Sequence, residues 1–193
     1  MRTARTLALA LLTASVNFLQ AQFAIPDAAF ASRLSFLVPS AMTGNVLNIS
    51  DPSVLGLGYM NVAGAGINDL DGIQYFTGLQ TLICNDNYLT TMPSLPDAIM
   101  ELQCQGNDLV SFTDLPNSLV TLQCWNNQLA SLPALPPNLD WLVCYQNQLT
   151  SLPALPASLT QLACGQNPLT ALPALPASLQ VLLCSNGALT GSL

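Results

Sequence analysis

The chain has 193 residues and a formal net charge of −7 at pH 7, with three Arg, no Lys and no His. This balance disfavours nucleic acid and anionic membranes as partners, because both are polyanions. Without His or Lys, the chain also lacks the groups that most often act as general bases or activate a thiol, so we predict no enzyme and no cofactor.

Residues 1–21 have the layout of a secretory signal peptide. Two arginines precede an apolar run that ends at Leu19, and the small Ala21 stands before Gln22. The run is shorter than the roughly twenty residues that span a bilayer, and Asn17 interrupts it, so cleavage is favoured over a membrane anchor. We therefore expect a secreted or cell-surface protein with no membrane insertion. Cleavage would leave a formal charge of about −9, since only one cation remains.

Residues 22–56 are expected to form an N-terminal cap. Pro26 and Asp27 are a helix start signal. Apolar residues at helical spacing follow them: Phe30, Leu34 and Leu37. A strand is expected near 46–49.

Residues 57–193 are built from repeats. Five copies of twenty residues fill 79–178 with the template LxxLxCxxNxLxxLPxLPxx, and a partial copy occupies 179–193. Residues 57–78 form a longer, degenerate copy in which Ala65 replaces the asparagine. Its DLDG stretch, 69–72, lacks the remaining ligands of a calcium loop and is interpreted as a turn.

Two columns of identical residues run through the repeats. Cysteine holds position 6 of each copy, at Cys84, Cys104, Cys124, Cys144, Cys164 and Cys184. Asparagine holds position 9, at Asn87, Asn107, Asn127, Asn147 and Asn167. The segment LxxLxC favours a short strand, and the two prolines per copy favour an extended or polyproline-like return path. One coil cannot cover its own leucines, so stacked coils are expected, with an apolar end that the cap covers.

The template resembles the leucine-rich repeat family, whose signature is LxxLxLxxNxL. The trailing LPxLP is similar to the short bacterial class found in type III effectors and secreted surface proteins. The cysteine at position 6 is similar to the cysteine ladder of some internalins. The resemblance implies a leucine-rich repeat solenoid with a parallel β-sheet on its concave face, an extended convex side and a short α-helical N-terminal cap.

The cysteine column has three interpretations. Neighbouring strands lie about 4.8 Å apart, whereas a disulfide brings Cβ atoms to about 3.8 Å, so we predict a buried, reduced ladder. The even cysteine count and the expected export favour disulfides instead. A straight column does not provide the tetrahedral geometry of zinc, so we predict no metal site.

The variable outward positions 3, 5, 7, 8 and 10 are the candidate binding surface. Two tryptophans and a tyrosine fall there on neighbouring coils, surrounded by amides. Exposed aromatic residues ringed by hydrogen-bonding groups are typical of recognition surfaces, although the rings could simply cover each other. The candidate ligand-binding residues are Trp125, Trp141, Tyr145, Gln123, Asn126, Gln146, Gln103 and Glu101.

We therefore predict a recognition module that binds a protein partner through the concave face, without catalysis. A glycan-binding surface protein is the alternative, and a structural or adhesion spacer of a longer polypeptide is the third. In the last copy Gly187 takes the asparagine position, and no capping helix is evident. An exposed strand edge there predicts self-association through the uncapped C-terminal coil.

Overall fold

The computed structural model describes residues 21–185. The predicted signal peptide therefore lies outside the described residues apart from Ala21, as do the last eight positions of the partial repeat. Two sheets are present in the described part: a three-stranded antiparallel sheet at the N-terminus and a seven-stranded parallel sheet formed by the repeats.

The N-terminal cap combines a small sheet with two helices. Its strands are β1 (Gln22–Ala24), β2 (Met42–Thr43) and β3 (Val46–Asn48), in the order β1–β3–β2. Its helices are α1 (Ala28–Leu37) and α2 (Pro52–Leu55). The helix and the strand predicted here are confirmed as α1 and β3, whereas β1, β2 and α2 were not predicted.

Helix α1 begins where the start signal placed it, and the same residue joins the cap to the first coil. The Asp27 Oδ1 atom accepts a hydrogen bond from the Phe30 N–H at 2.8 Å, which satisfies an N–H group of the first turn. The Oδ2 atom accepts from the Asn68 N–H at 2.9 Å. The cap is thus hydrogen-bonded to the solenoid that it covers.

The DLDG stretch forms a turn, as predicted. The Asp71 N–H donates to the Asp69 Oδ1 atom at 2.8 Å, and Gly72 has a φ of 110°. A Cβ at Gly72 would collide with the Ile25 side chain of the cap, so both the backbone conformation and the close packing require glycine. A 3-10 helix, Ile73–Tyr75, follows directly.

The repeats stack their strands in chain order into one parallel sheet. The strands are β4 (Tyr59–Asn61), β5 (Thr81–Ile83), β6 (Glu101–Gln103), β7 (Thr121–Gln123), β8 (Trp141–Val143), β9 (Gln161–Ala163) and β10 (Val181–Leu183). Equivalent residues pair, as Leu82 does with Leu102. The residues described after β5 contain no helix, and each return path ends in a tight turn such as the one closed from the Leu119 N–H to the Pro116 oxygen at 3.0 Å. The predicted extended convex side is confirmed.

The asparagine column joins neighbouring coils through buried hydrogen bonds. The Asn127 Nδ2 atom donates to the Cys104 oxygen at 3.1 Å in the preceding coil and to the Cys124 oxygen at 3.2 Å in its own. Its Oδ1 atom accepts from the Leu109 N–H at 3.0 Å. One amide therefore satisfies backbone groups where the chain leaves two successive strands, which an aliphatic side chain cannot do.

Candidate functional site

The cysteine column is core. Five of the six cysteines have no exposed surface and Cys184 is half-buried, so the predicted burial is confirmed for the five inner coils. All six carry thiols in the structure. Burial raises the pKa of Cys84 and Cys124 to about 12 and that of Cys164 to about 11. A thiol with so high a pKa stays protonated at neutral pH and is a poor nucleophile.

Position 7 carries two of the large aromatic side chains of the concave face. Trp125 and Tyr145, on adjacent coils, stack with ring centroids 5.1 Å apart and an interplanar angle of 6°. Both are half-buried, because each ring covers part of the other. The stack follows from the register of the sheet, which places equivalent residues of successive coils about 4.8 Å apart, close to the separation of stacked rings.

Trp141 does not join the stack. It begins strand β8 at position 3 and is 38 % exposed. It lies beside a depression of about 210 Å³ whose wall also includes Tyr145, Val143 and Leu183. The three aromatic residues therefore border one surface, although only two of the rings are in contact.

The remaining candidates fall into two groups. Glu101, Gln103 and Gln123 lie in strands and are half-buried, and the Gln103 Nε2 atom donates to the Glu101 Oε1 atom at 2.7 Å. Asn126 and Gln146 are exposed at position 8, where the chain leaves the strand. The structure places all of these residues on the concave face but spreads them over coils from β6 to β8.

In each of these coils the residue at position 8 has a left-handed backbone conformation, which we did not predict. Four residues other than glycine have a φ between 52° and 55° there, and one glycine has a φ of 65°: Asp86, Asn126, Gln146, Gln166 and Gly106. The signal was present in the sequence, because Asp, Asn and Gly are the residues that tolerate this conformation best. The glutamines at this position obscure the signal, since glutamine has no preference for the left-handed conformation.

Two positions assigned to the outward set are in fact buried. Val143, at position 5, is only 8 % exposed and lies between the larger rings that border the same depression. Gly165, at position 7, is buried because it has no side chain to project beyond its neighbours. The repeat pattern gives the direction of a side chain, whereas its exposure depends on the size of the residues in adjacent coils.

The far end of the concave face contains residues that sequence reasoning did not select. Ala163, Gly165, Leu183 and Ser185 border a second depression of about 200 Å³, together with Gln166 and Tyr145. It adjoins the first depression, since Tyr145, Ala163 and Leu183 border both. Within residues 21–185, no group of three or more His, Cys, Asp or Glu could hold a metal ion, and no helix has the length and apolarity needed to cross a bilayer.

Solved structures with the same fold are bacterial leucine-rich repeat proteins. The leucine-rich repeat domain of a Shigella effector is 28 % identical over 80 % of this chain and 64 % of its own, with a TM-score of 0.66. YopM from Yersinia enterocolitica is 41 % identical over 57 % of this chain and 25 % of its own, with a TM-score of 0.56. The functional domain of InlJ from Listeria monocytogenes, which includes a cysteine ladder, is 23 % identical over 86 % of this chain and 48 % of its own, with a TM-score of 0.60.

The protein thus has a leucine-rich repeat solenoid fold similar to those of these bacterial proteins, and the predicted fold class and resemblance are confirmed. No protein-family model and no curated protein sequence matches it. The chain spans between a quarter and about two thirds of the length of these three solved chains.

Proposed function

We propose that this protein is a secreted or cell-surface recognition module that binds a protein partner through the concave face, with no catalytic step. The observation that carries the proposal is the Trp125–Tyr145 stack, with the exposed Trp141 beside it. Large rings held by a rigid sheet lose little conformational freedom on binding, which is why Trp and Tyr are enriched among the residues that dominate interface energies. The effector and surface proteins that share the fold support a protein-interaction role.

The distribution of charge supports the same surface. The described residues contain one cation, Arg33, and it lies in the cap. Glu101 and the exposed Asp86 lie on the coils before the aromatic residues. Carboxylates lie on the coils nearer the cap and the Trp and Tyr residues of the proposed site on the coils of β7 and β8, while the exposed Tyr59 of β4 adds a further ring at the cap end, which together favour a partner with Lys or Arg and an apolar anchor.

The experiment compares partner capture by residues 22–193 and by two triple variants. In one, Trp125, Trp141 and Tyr145 are replaced by Ala. In the matched control, the exposed convex residues Ser131, Thr150 and Ser151 are replaced by Ala. We expect the aromatic variant to lose about 1 to 4 kcal/mol of binding free energy and the control to bind as the parent does.

A partner that binds all three proteins equally would overturn the proposal. The two stacked rings are half-buried, so the aromatic variant should also lose about 1 kcal/mol of stability. Circular dichroism therefore has to show that it is folded at the temperature of the binding assay. A glycan array with the same variants tests the alternative ligand class. A sugar that binds the parent but not the aromatic variant would identify a glycan, and not a protein, as the ligand of this face.

Self-association is a further proposal for the same end of the sheet. In the described residues β10 is an edge strand, and Leu183 and Val181 are 63 % and 42 % exposed. A terminal strand with exposed apolar side chains favours pairing with a second copy. Sedimentation at high micromolar concentration should show dimers or larger species, and a clean monomer would contradict this expectation.

A further inference from the structure

We infer that the missing side chain at Gly165 opens a slot that takes one aromatic side chain of a partner protein as a third ring on the Trp125–Tyr145 stack. This inference rests on the proposed protein-recognition function and specifies the anchor residue of the partner. The slot lies between Tyr145 and Ser185 on the concave face.

The geometry of position 7 carries the first step. The column continues from Trp125 and Tyr145 to Gly165 and Ser185, and the coils remain in register, as the Gln146 N–H shows by donating to the Gly165 oxygen at 3.1 Å. One face of the Tyr145 ring covers Trp125. The opposite face points along the column toward Gly165, which has no side chain to cover it. The stack therefore ends on a ring face that borders the depression beside Gly165, and Ser185 bounds that depression on its far side.

The size of the empty place fits one ring. The depression beside Tyr145 and Gly165 has a volume of about 200 Å³. An apolar cavity of about 150 Å³ is known to admit benzene, whereas drug-sized ligands need roughly 300 Å³ or more. Successive coils are about 4.8 Å apart, so the place left by one missing side chain has the depth of one stacked ring. A single side chain fits better than an oligosaccharide.

The walls favour an aromatic ring over a sugar. Ala163 and Leu183 are aliphatic, and Tyr145 presents its ring face. The polar side chains are Gln166 and Ser185 at the border, which is few for the several hydroxyl groups of a pyranose. Desolvating those hydroxyls without partners would cost more than a ring stack contributes.

The surrounding charge identifies the neighbours of that ring in the partner. Glu101 lies on β6, three strands before β9, and four positions earlier in its coil than Gly165, so roughly 14 Å across the sheet and roughly 13 Å along it separate the two, about 19 Å in all. No described residue of the concave face carries a positive charge. An extended segment covers roughly 14 Å in four residues, and the long side chain of a Lys or Arg at that position spans the remaining distance to the carboxylate.

The test uses three probes and four proteins. The probes are a pentapeptide of 5-fluorotryptophan, three glycines and arginine, the same peptide ending in glutamate, and methyl glucopyranoside. The proteins are residues 22–193 and the variants Gly165→Tyr, Tyr145→Ala and Gln148→Tyr. Fluorine NMR reports peptide binding and saturation transfer reports the sugar. Gly165→Tyr fills the slot with the protein's own ring, and Gln148→Tyr adds the same ring at an exposed position outside it.

We expect the arginine peptide to bind the parent and the Gln148→Tyr variant, and to bind the other two variants about tenfold more weakly or not at all. The glutamate peptide should bind the parent several-fold more weakly than the arginine peptide. Gly165 has a backbone that accepts a side chain, but a Cβ would come within 3.0 Å of the Ser185 Oγ atom. If Gly165→Tyr fails to fold, Tyr145→Ala still removes the floor of the slot.

Three results overturn the inference: no peptide binding to the parent, binding that persists when the slot is filled, or binding of the sugar in place of the peptide. None of them bears on whether a protein partner uses Trp141 or Glu101. The proposed function fails separately, when a captured partner binds the aromatic triple variant as tightly as it binds the parent.

Discussion

Cys124 and Trp125 are neighbours in sequence but belong to columns that obey different rules. In position 6, the same residue recurs in six coils and is buried in five of them. In position 7, the residue changes in every coil, from asparagine through glutamine, tryptophan and tyrosine to glycine and serine. The pleat separates the two, because successive side chains of a strand point to opposite faces of the sheet.

The difference shows where this fold permits change. An inner column is a continuous ladder, so a side chain of another size disturbs the coils on both sides. The asparagine column is stricter still, because each amide satisfies backbone groups of two coils. Only the outward columns are free to vary, so the information about a partner must be in them.

The largest effect is expected from breaking the asparagine column. Asn127→Ala leaves the buried Leu109 N–H without its partner and takes one of two side-chain amide donors from each of the Cys104 and Cys124 oxygens, which should cost about 3 kcal/mol of stability. Asn126→Ala is the matched control: it is exposed, and its left-handed φ of 53° makes a loss of only about 1 kcal/mol reasonable. Urea denaturation measures both, and equal losses would show that position 9 is not a special column.

The next effect comes from the cysteine column. Cys124→Leu should destabilise the solenoid by about 1 to 3 kcal/mol through overpacking, and Cys124→Ser by a similar amount through an unsatisfied hydroxyl. Trp125→Leu, one residue further along, should lose less than either and fail in partner binding instead. A stable Cys124→Leu protein would mean that the inner wall has room, contrary to the argument for a slim side chain.

A third prediction uses pH to count buried thiols. Folding raises the pKa of Cys124 from about 9.0 to about 12, so its contribution to stability is fully present below pH 9 and is lost as the pH rises toward 12. The parent should lose about 1.4 kcal/mol between pH 8 and pH 10 for each such thiol. The Cys124→Ala variant should lose about 1.4 kcal/mol less over the same range. If the parent and the Cys124→Ala variant lose the same stability over this pH range, Cys124 is not a buried thiol in the folded state.

The same chemistry tests the reduced ladder, which stays a prediction. Thiol counting on the unfolded mature protein should find most of the six cysteines reactive, whereas the folded protein should expose only Cys184 to a thiol reagent quickly. Three intact disulfides would restore the alternative based on even cysteine count and export.

Much of the fold could be predicted because the same sequence pattern recurs in every repeat. The strand in every coil, the extended return path and the burial of Cys84 to Cys164 all follow from a twenty-residue pattern. The cap was predicted only in part. β1 and β2 are each three residues or fewer. Both are held in place by pairing with β3, and no local sequence pattern predicts that pairing.

The candidate site was predicted by column but not by contact. The register of equal repeats placed Trp125 beside Tyr145, and the structure shows their stack. The separation of Trp141 from that stack and the opening beside Gly165 depend on side-chain size in adjacent coils. A pattern that treats all outward positions alike carries no such information.

The smallest effect is expected at Gln105, the position-7 residue of the coil before Trp125. Its Oε1 atom is buried and has no hydrogen-bond partner among the described residues, so the protein retains an unsatisfied acceptor on this face. Gln105→Met keeps the length of the side chain and removes that acceptor, so stability should rise by as much as about 1 kcal/mol. Gln103→Met is the matched control, because the Gln103 amide donates to Glu101 at 2.7 Å and its loss should be neutral or slightly destabilising. Thermal unfolding of both variants decides the matter. If Gln105→Met destabilises the protein as much as Gln103→Met or more, the Gln105 amide is hydrogen-bonded in solution. Position 7 would then contribute to stability, and the contrast between its variable residues and the cysteine column would be weaker than described above.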